Sequence, residues 1–294
     1  MDEHTNDEPV IALVLGSGWK LGVSFHAGVL LALRDVWGVD ARSVDSVTGT
    51  SAGALTAGFV GAGFDADDLF RRETQDEPSD PARDLMAHAK VARDAVPSGT
   101  DDGSGDQAVA PSKVARFFDE LTDASWPSEV KLRLCAVDAR SGRIATLDAD
   151  SGATPGEAIA ASCSVPGLAR PVRIGNRTYV DGAVRSVNNA GTAASTAPDV
   201  VIVSAPMSVD RPLFPRSPMA LVRNSIRVQN ARECQRLATT CRVISIEPTK
   251  SDVAAMGSNL NASARREHVA RHAYATACEI LHHEEPAAVL RPSR

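Results

Sequence analysis

The sequence predicts an α/β fold with a mainly parallel sheet. Residues 10–15 read VIALVL, a continuous apolar run typical of a strand that is buried on both faces. A glycine-rich turn follows, and apolar residues then recur at helical spacing up to Gly38. Residues 44–48 predict a second strand that runs directly into a small-residue helix at Ser51. Two strand-turn-helix units in succession indicate parallel strands joined by right-handed crossovers, with helices on the sheet faces.

The rest of the chain continues this alternation. Period-two patterns and turn residues predict further strands at 131–137, 143–147, 172–174, 178–180, 200–204 and 242–246. Helical periodicity predicts helices at 82–96, 113–121, 156–162, 220–237 and 262–282. We expect one domain over 10–285, between a flexible N-terminal tail at 1–9 and a C-terminal tail at 286–294. Within it, 73–112 is rich in turn formers and acids and predicts a variable insertion, either a cap over a cleft or a disordered surface excursion.

Composition narrows the classes of function. The 294 residues include 31 Lys and Arg against 37 Asp and Glu, a net charge of −6, which disfavours a nucleic-acid partner. Five widely spaced cysteines without a CxxC pair predict neither a disulfide framework nor a metal site. The N-terminus is acidic where a secretory signal would be basic, and no apolar run approaches the ~18 residues that span a bilayer. We therefore expect a cytoplasmic protein.

The pentapeptide Gly49-Thr50-Ser51-Ala52-Gly53 has the GxSxG pattern of a nucleophile elbow. An apolar strand precedes it and a small-residue helix follows it, which is the context that this turn requires. Glycines two residues before and after the serine allow the strand and helix to approach each other. Ser51 is therefore the candidate nucleophile, and the helix N-terminus behind it favours a developing oxyanion.

The loop 16–22, GSGWKLG, allows two interpretations. A dinucleotide-binding GxGxxG loop needs glycine at position 21, where the chain has Leu21, so this match is weak. Alternatively, the main-chain amides around residues 17–19 form an oxyanion hole beside the neighbouring elbow. The nucleophile on the next strand favours the oxyanion hole.

The base that activates Ser51 has two kinds of candidate. A histidine would have to come mainly from a C-terminal helix with a solvated pattern, which carries His268, His272, His282 and His283. Asp181 in the segment YVDGA is the better candidate, because it ends a short apolar strand and α/β folds place their chemistry at such ends. A partly buried carboxylate can take the serine proton and return it to the leaving alcohol.

Four segments in this order, LVLGSGWKLGVSFHAGVL, GTSAG, ASCSVPGLARPV and YVDGA, resemble the patatin-like phospholipase family. The resemblance implies a three-layer α/β/α sandwich and hydrolysis of lipid acyl esters by a Ser-Asp dyad, with no metal or cofactor. Carried over, Ser51 is the nucleophile and Asp181 the general base. The loop residues Ser17, Gly18 and Trp19 then occupy the oxyanion positions, and the motif glycines are Gly16, Gly22, Gly49, Gly53 and Gly182.

The chain departs from the family pattern at several positions. Ser17 and Trp19 replace glycines, and Leu21 lies where the family often has a basic residue. Trp19 should therefore hold a strained conformation, with its ring either over the elbow or packed as core. After the DGA motif the usual Asn-x-Pro lacks its proline, and we expect Asn188 or Asn189 to bond the main chain instead.

These observations predict a phospholipase A-type hydrolase or esterase whose partner is a lipid or another acyl ester, which also implies peripheral contact with a membrane. An acyltransferase that uses the same dyad is one alternative. Another is a weakly active domain that binds lipids or a partner protein, suggested by the altered glycine loop. A nucleotide-binding module is a more remote alternative, because the GxGxxG match is poor.

Overall fold

The computed structural model describes residues 9–88, 111–215 and 217–284. The expected tail at 286–294, nearly all of the tail at 1–9 and most of the expected insertion at 73–112 lie outside these residues. So does the part of the helix predicted at 82–96 that follows His88.

A mixed sheet forms the centre of the molecule. In the described residues it has eight strands in the order β5-β6-β3-β2-β1-β7-β8, with β4 paired to β3. The strands are β1 (Ile11–Leu15), β2 (Ser46–Gly49), β3 (Lys131–Asp138), β4 (Ile144–Leu147), β5 (Val172–Ile174), β6 (Arg177–Asp181), β7 (Val200–Ser204) and β8 (Arg242–Ile246). The pairs that join β3, β2, β1, β7 and β8 are all parallel, whereas β4, β5 and β6 pair antiparallel. The prediction of a mainly parallel sheet is confirmed.

Both faces of the sheet are covered. Leu13 and Leu15 of β1 belong to the larger hydrophobic cluster, whereas the alternating Ala12 and Val14 belong to a second cluster on the opposite face. This two-sided burial explains why β1 is apolar at every position.

Helices form the layers on either side of the sheet. They are α1 (Trp19–Trp37), α2 (Ala52–Gly61), α3 (Ala66–Thr74), α4 (Asp80–His88), α5 (Pro111–Leu121), α6 (Pro155–Ser162), α7 (Pro218–Leu237), α8 (Lys250–Met256) and α9 (Arg266–His283). Helix α1 packs mainly against α9, and α5 against α6. The smaller cluster is covered by a 3-10 segment (Ala190–Thr196) and by Leu237 of α7.

Helices α3 and α8 were not predicted. Each begins with a side-chain cap: Asp65 accepts from the Asp68 amide, and Thr249 forms a reciprocal capping box with Asp252. Glu73 of α3, where the expected insertion begins, is buried and ion-paired to Arg266 of α9 at 2.8 Å. The packed domain therefore extends into the first residues of that segment.

Candidate active site

Ser51 lies in a tight turn between β2 and α2. Its φ is 53° and its ψ is −112°, a backbone conformation that side-chain-bearing residues rarely adopt. A Cβ on Gly49 would lie 2.7 Å from the Gly53 carbonyl oxygen, and one on Gly53 would collide with the Leu15 carbonyl. The two motif glycines are therefore required by close backbone approach, and the turn presents a partly exposed Ser51 side chain.

Asp181 reaches the elbow by an unexpected route. Its strand β6 is antiparallel to β3, with Asp181 opposite Ala136, so the rule about the carboxyl ends of parallel strands does not apply to it. Strand β3 continues beyond Leu134, which is the partner of Gly49 at the end of β2. Pairing with this extension places Asp181 two residues past the end of β2, at the level of Ser51.

Asp181 is buried, with only 1% of the residue exposed. Its Oδ1 accepts a hydrogen bond from the Ala183 amide at 2.7 Å, and a Cβ on the intervening Gly182 would collide with the Cys135 carbonyl. Oδ2 has no partner with hydrogen-bond geometry among the described residues, although the Ser51 side chain is close enough to act on the carboxylate. Burial raises the pKa of Asp181 to about 6, against smaller opposing effects of Ala183 and Ser51.

Three consecutive residues at the end of α6 hold the backbone of both site residues. Ser162 Oγ accepts from the Ser51 amide at 2.9 Å and donates to the Cys135 carbonyl at 2.7 Å. Cys163 Sγ donates to the Ser51 carbonyl at 3.4 Å, and the Ser164 carbonyl accepts from the Asp181 amide at 2.9 Å. These contacts join residues more than 100 positions apart in the case of Ser51, and sequence reasoning missed them.

The glycine loop offers two main-chain amides. The Ser17 amide donates to the Val187 carbonyl at 2.8 Å and so is not available to an oxyanion, contrary to the prediction for Ser17. The Gly18 and Trp19 amides donate no hydrogen bond to any described residue. Trp19 has a φ of 57° and is 39% exposed, so it holds the expected strained conformation and is not a core residue.

His26 supports this loop from α1. Its ring nitrogens lie 2.8 Å from the Gly16 carbonyl and 2.8 Å from Ser204 Oγ at the end of β7. Complete burial lowers the pKa of His26 to about 4, so the ring is neutral near pH 7. The sequence analysis did not identify His26, although a histidine on the apolar face of a predicted helix indicates a buried polar residue.

The other side of the loop is closely packed. A Cβ on Gly16 would collide with Asn188 Oδ1, one on Gly18 would lie 2.7 Å from Pro206 Cγ, and one on Gly22 would lie 3.1 Å from Ala52 Cβ. The Pro206 carbonyl accepts from the buried Arg223 guanidinium at 2.8 Å. A side chain at any of these three glycines would therefore press against a neighbouring residue.

The loop after Asp181 closes as expected. Asn189 Nδ2 donates to the Ser186 carbonyl at 2.7 Å, to Thr50 Oγ1 at 3.1 Å and to the Gly182 carbonyl at 3.3 Å. One amide group thereby joins the loop of the candidate base to the residue before the candidate nucleophile.

The α9 histidines make other contacts. The rings of His268 and His272 pack together with centroids 4.4 Å apart, and His272 Nδ1 lies 3.8 Å from Asp252. His282 Nδ1 bonds the Cys278 carbonyl. All five cysteines are free, and no group of three or more His, Cys, Asp or Glu among the described residues could hold a metal ion.

The chain is a mixed α/β protein with helices on both faces of the sheet and a strained GxSxG turn after β2. The family model for patatin-like phospholipase matches residues 13–194, more than half of the chain. The chain belongs to the patatin-like phospholipase family, and at the level of that family it is a lipid acyl hydrolase.

Two solved structures are similar to the chain. VipD from Legionella pneumophila is 11% identical with a TM-score of 0.49, and the match covers 94% of this chain and 67% of VipD. The type III effector protein ExoU is 12% identical with a TM-score of 0.41, and the match covers 94% of this chain and 53% of ExoU. Within the described residues, no helix is both long enough and apolar enough to cross a membrane, and the cytoplasmic location stays a prediction.

Proposed function

We propose that the chain hydrolyses carboxylic esters of lipids through an acyl-enzyme on Ser51, with Asp181 as general base. The observation that carries the proposal is the pairing of a serine in a strained elbow with a buried carboxylate whose Oδ2 has no other partner in the described residues. A loose contact between nucleophile and base is common before substrate binds.

The chemistry follows from these positions. Ser51 Oγ attacks the ester carbonyl carbon while its proton passes to Asp181, and the Gly18 and Trp19 amides donate to the resulting oxyanion. The carbon–oxygen bond to the leaving alcohol breaks, and Asp181 returns the proton to that alcohol. A water molecule then gives its proton to Asp181 and attacks the acyl-enzyme carbonyl. As the bond from that carbonyl to Ser51 Oγ breaks, Asp181 returns the proton to Ser51 Oγ, and the fatty acid leaves.

Two amides rather than three make a smaller oxyanion hole than the sequence predicted. Removal of one donor typically costs about 10²–10³ in turnover, so each of the two remaining amides should matter. The neutral His26 bonds the loop directly, and the buried Arg223 bonds Pro206, which packs against Gly18. Both contacts support a preorganised site.

A fluorophosphonate probe tests the proposal, because labelling requires an activated serine hydroxyl. We expect labelling and ester hydrolysis by the wild type and neither by Ser51→Ala, which leaves the fold intact. An ester panel from short p-nitrophenyl chains to phospholipid vesicles then defines the substrate range. Unchanged hydrolysis by Ser51→Ala would show that Ser51 is not the nucleophile.

A further inference from the structure

The large apolar side chains that are exposed on the described residues lie on segments of the candidate active site, on α7 and on the loop before α7. Several lie on the segments that carry the site: Trp19 on the glycine loop, Leu168 after the end of α6 and Val184 three residues after Asp181. Others lie on the loop after β7 and on α7: Phe214, Leu221, Val222 and Val228. We call these seven residues the apolar rim.

Contacts join several of the segments that carry the rim. Pro206 packs against Gly18, next to Trp19, and its carbonyl is bonded by Arg223 of α7. Further along α7, Gln229 Nε2 lies 3.5 Å from the carbonyl of Arg185, the neighbour of Val184. On α7 itself Leu221 and Val228 are seven residues apart and share one face, where Leu221 is 56% exposed.

The part of the chain that carries most of the rim is basic. Residues 163–237 contain ten arginines and four acidic residues, whereas the whole chain has a net charge of −6. Two of the four acids face inward: Asp181 is the buried candidate base, and Glu233 accepts hydrogen bonds from Ser186 and from the Ala190 amide. The net charge of this segment therefore has the opposite sign to that of the chain as a whole.

A basic cleft of about 660 Å³ adjoins the rim. It lies between the β3–β4 hairpin and β6 and is lined by Arg143, Arg177 and Arg185, with the carboxylate of Asp138. No ion pair within 4 Å joins any of these arginines to another described residue. Asp138 Oδ1 is already bonded by the amides of residues 140 and 141. The charge of Asp138 interacts with that of Arg177, so the cleft holds three guanidinium groups against one carboxylate and keeps a net positive charge.

We propose that the apolar rim and the basic cleft dock together on a bilayer of anionic lipids, with the rim among the acyl chains and the arginines at the headgroup phosphates. Apolar side chains beside arginines that outnumber the neighbouring carboxylate have the chemistry of a peripheral membrane surface. Docking there would place Ser51 against the lipid layer. The inference rests on the proposed function only in taking the bound lipid to be the substrate.

Vesicle binding tests the proposal in the Ser51→Ala background, so that no lipid is consumed. We expect this protein to float with vesicles of equal parts phosphatidylcholine and phosphatidylglycerol, and much less with phosphatidylcholine alone. Arg177→Gln with Arg185→Gln should weaken partitioning by about fivefold for each charge removed, and Leu221→Ser with Val222→Ser by at least about tenfold. The matched control is Lys113→Gln with Arg116→Gln, which removes two exposed charges from α5 and should bind like the parent.

Several results would overturn the proposal. These are equal binding to the two vesicle types, binding by the rim and cleft variants that matches the control, or a dimer that Leu221→Ser with Val222→Ser converts to a monomer. A second measurement with Ser51 intact separates this proposal from the proposed function. Rim and cleft variants should retain hydrolysis of soluble p-nitrophenyl butyrate and lose hydrolysis of vesicle lipids. If the wild type does not hydrolyse the soluble ester, the proposed function fails while the binding result still decides the docking surface.

Discussion

Burial affects the Asp181 carboxyl group in two ways. It raises the pKa of the group to about 6, which brings its proton affinity closer to that needed by a general base near neutral pH. It also makes the ionised form unfavourable in the folded protein. The same residue is therefore expected to contribute to the reaction and to destabilise the fold above its pKa.

The activity of the wild type should depend on pH through this group. Since the base must be deprotonated, kcat/KM should rise with pH up to about 6 and stay level above it. Asp181→Asn can keep the bond from the Ala183 amide but cannot take a proton, so the rate should fall by about 10²–10⁴. His268→Ala and His272→Ala should remain near wild type, and a large loss in either with a mild effect at Asp181 would indicate a different base.

Trp19 is the residue at which the chain departs most from the family loop. Its φ of 57° is a conformation that costs about 1–3 kcal/mol for a side-chain-bearing residue. The residue is partly exposed, on a loop whose Gly16 carbonyl accepts from the Gly53 amide of the elbow. Trp19→Gly should relieve the strain and widen the site, whereas Trp19→Ala should widen the site only. We expect both to raise hydrolysis of bulky lipid esters relative to short ones, and only the glycine variant to gain stability.

The two Trp19 variants separate ring size from backbone conformation. Melting temperature and the ratio of long-ester to short-ester activity are measured on each. A severe loss of stability in both, with an unchanged ratio, would show that the indole supports the fold rather than narrows the site.

At the scale of the element, the end of α6 holds the elbow and the candidate base through adjacent residues. Ser162 and Ser164 are both fully buried, and both hydroxyls donate to a backbone carbonyl. Only the Ser162 hydroxyl also accepts from the Ser51 amide. The two serines therefore form a matched pair for testing how the strained turn is held.

Ser162→Ala should leave the Ser51 amide without its partner, at a cost of about 1–3 kcal/mol, and allow the nucleophile to move. We expect kcat to fall by about tenfold to a hundredfold with little change in KM. Ser164→Ala should lose stability to a lesser degree and retain its rate of fluorophosphonate labelling below the melting temperature. Equal effects of the two substitutions on labelling would mean that both serines act through general packing.

The parts of the fold and of the candidate site that could be predicted from the sequence are those specified by short, local sequence patterns. The elbow and the glycine loop lie in short segments whose glycines follow from backbone geometry, and Asp181 lies in a short motif, so all three could be located in the sequence. The caps of α3 and α8 were also local, at Asp65 and Thr249, but were overlooked. The bond from Ser51 to Ser162 and the antiparallel pairing of β6 depend on tertiary contacts that no local pattern specifies.

At the scale of the whole molecule, two buried groups titrate with opposite effects on stability. The pKa of His26 is lowered from 6.5 to about 4, so the unfolded chain binds that proton first and stability falls as pH drops from 6.5 to 4. The pKa of Asp181 is raised from 3.8 to about 6, so the folded chain binds that proton first and stability falls as pH rises from 3.8 to 6. Each group accounts for roughly 3 kcal/mol, and the two effects nearly cancel between about pH 4 and 6.

Substitution of either group should reveal how the free energy of unfolding depends on pH through the other group. Relative to wild type, Asp181→Asn should be more stable by roughly 3 kcal/mol near pH 7, and this advantage should vanish near pH 4, where Asp181 is protonated in the folded wild type. His26→Gln should lose a constant amount near neutral pH, because it disturbs the contacts to Gly16 and Ser204, but recover roughly 3 kcal/mol relative to wild type as pH falls to 4. Urea unfolding at a series of pH values measures both differences. Because other carboxylates titrate equally in all three proteins, they cancel from each comparison, and a difference that stays constant with pH would contradict the assigned pKa of the group removed.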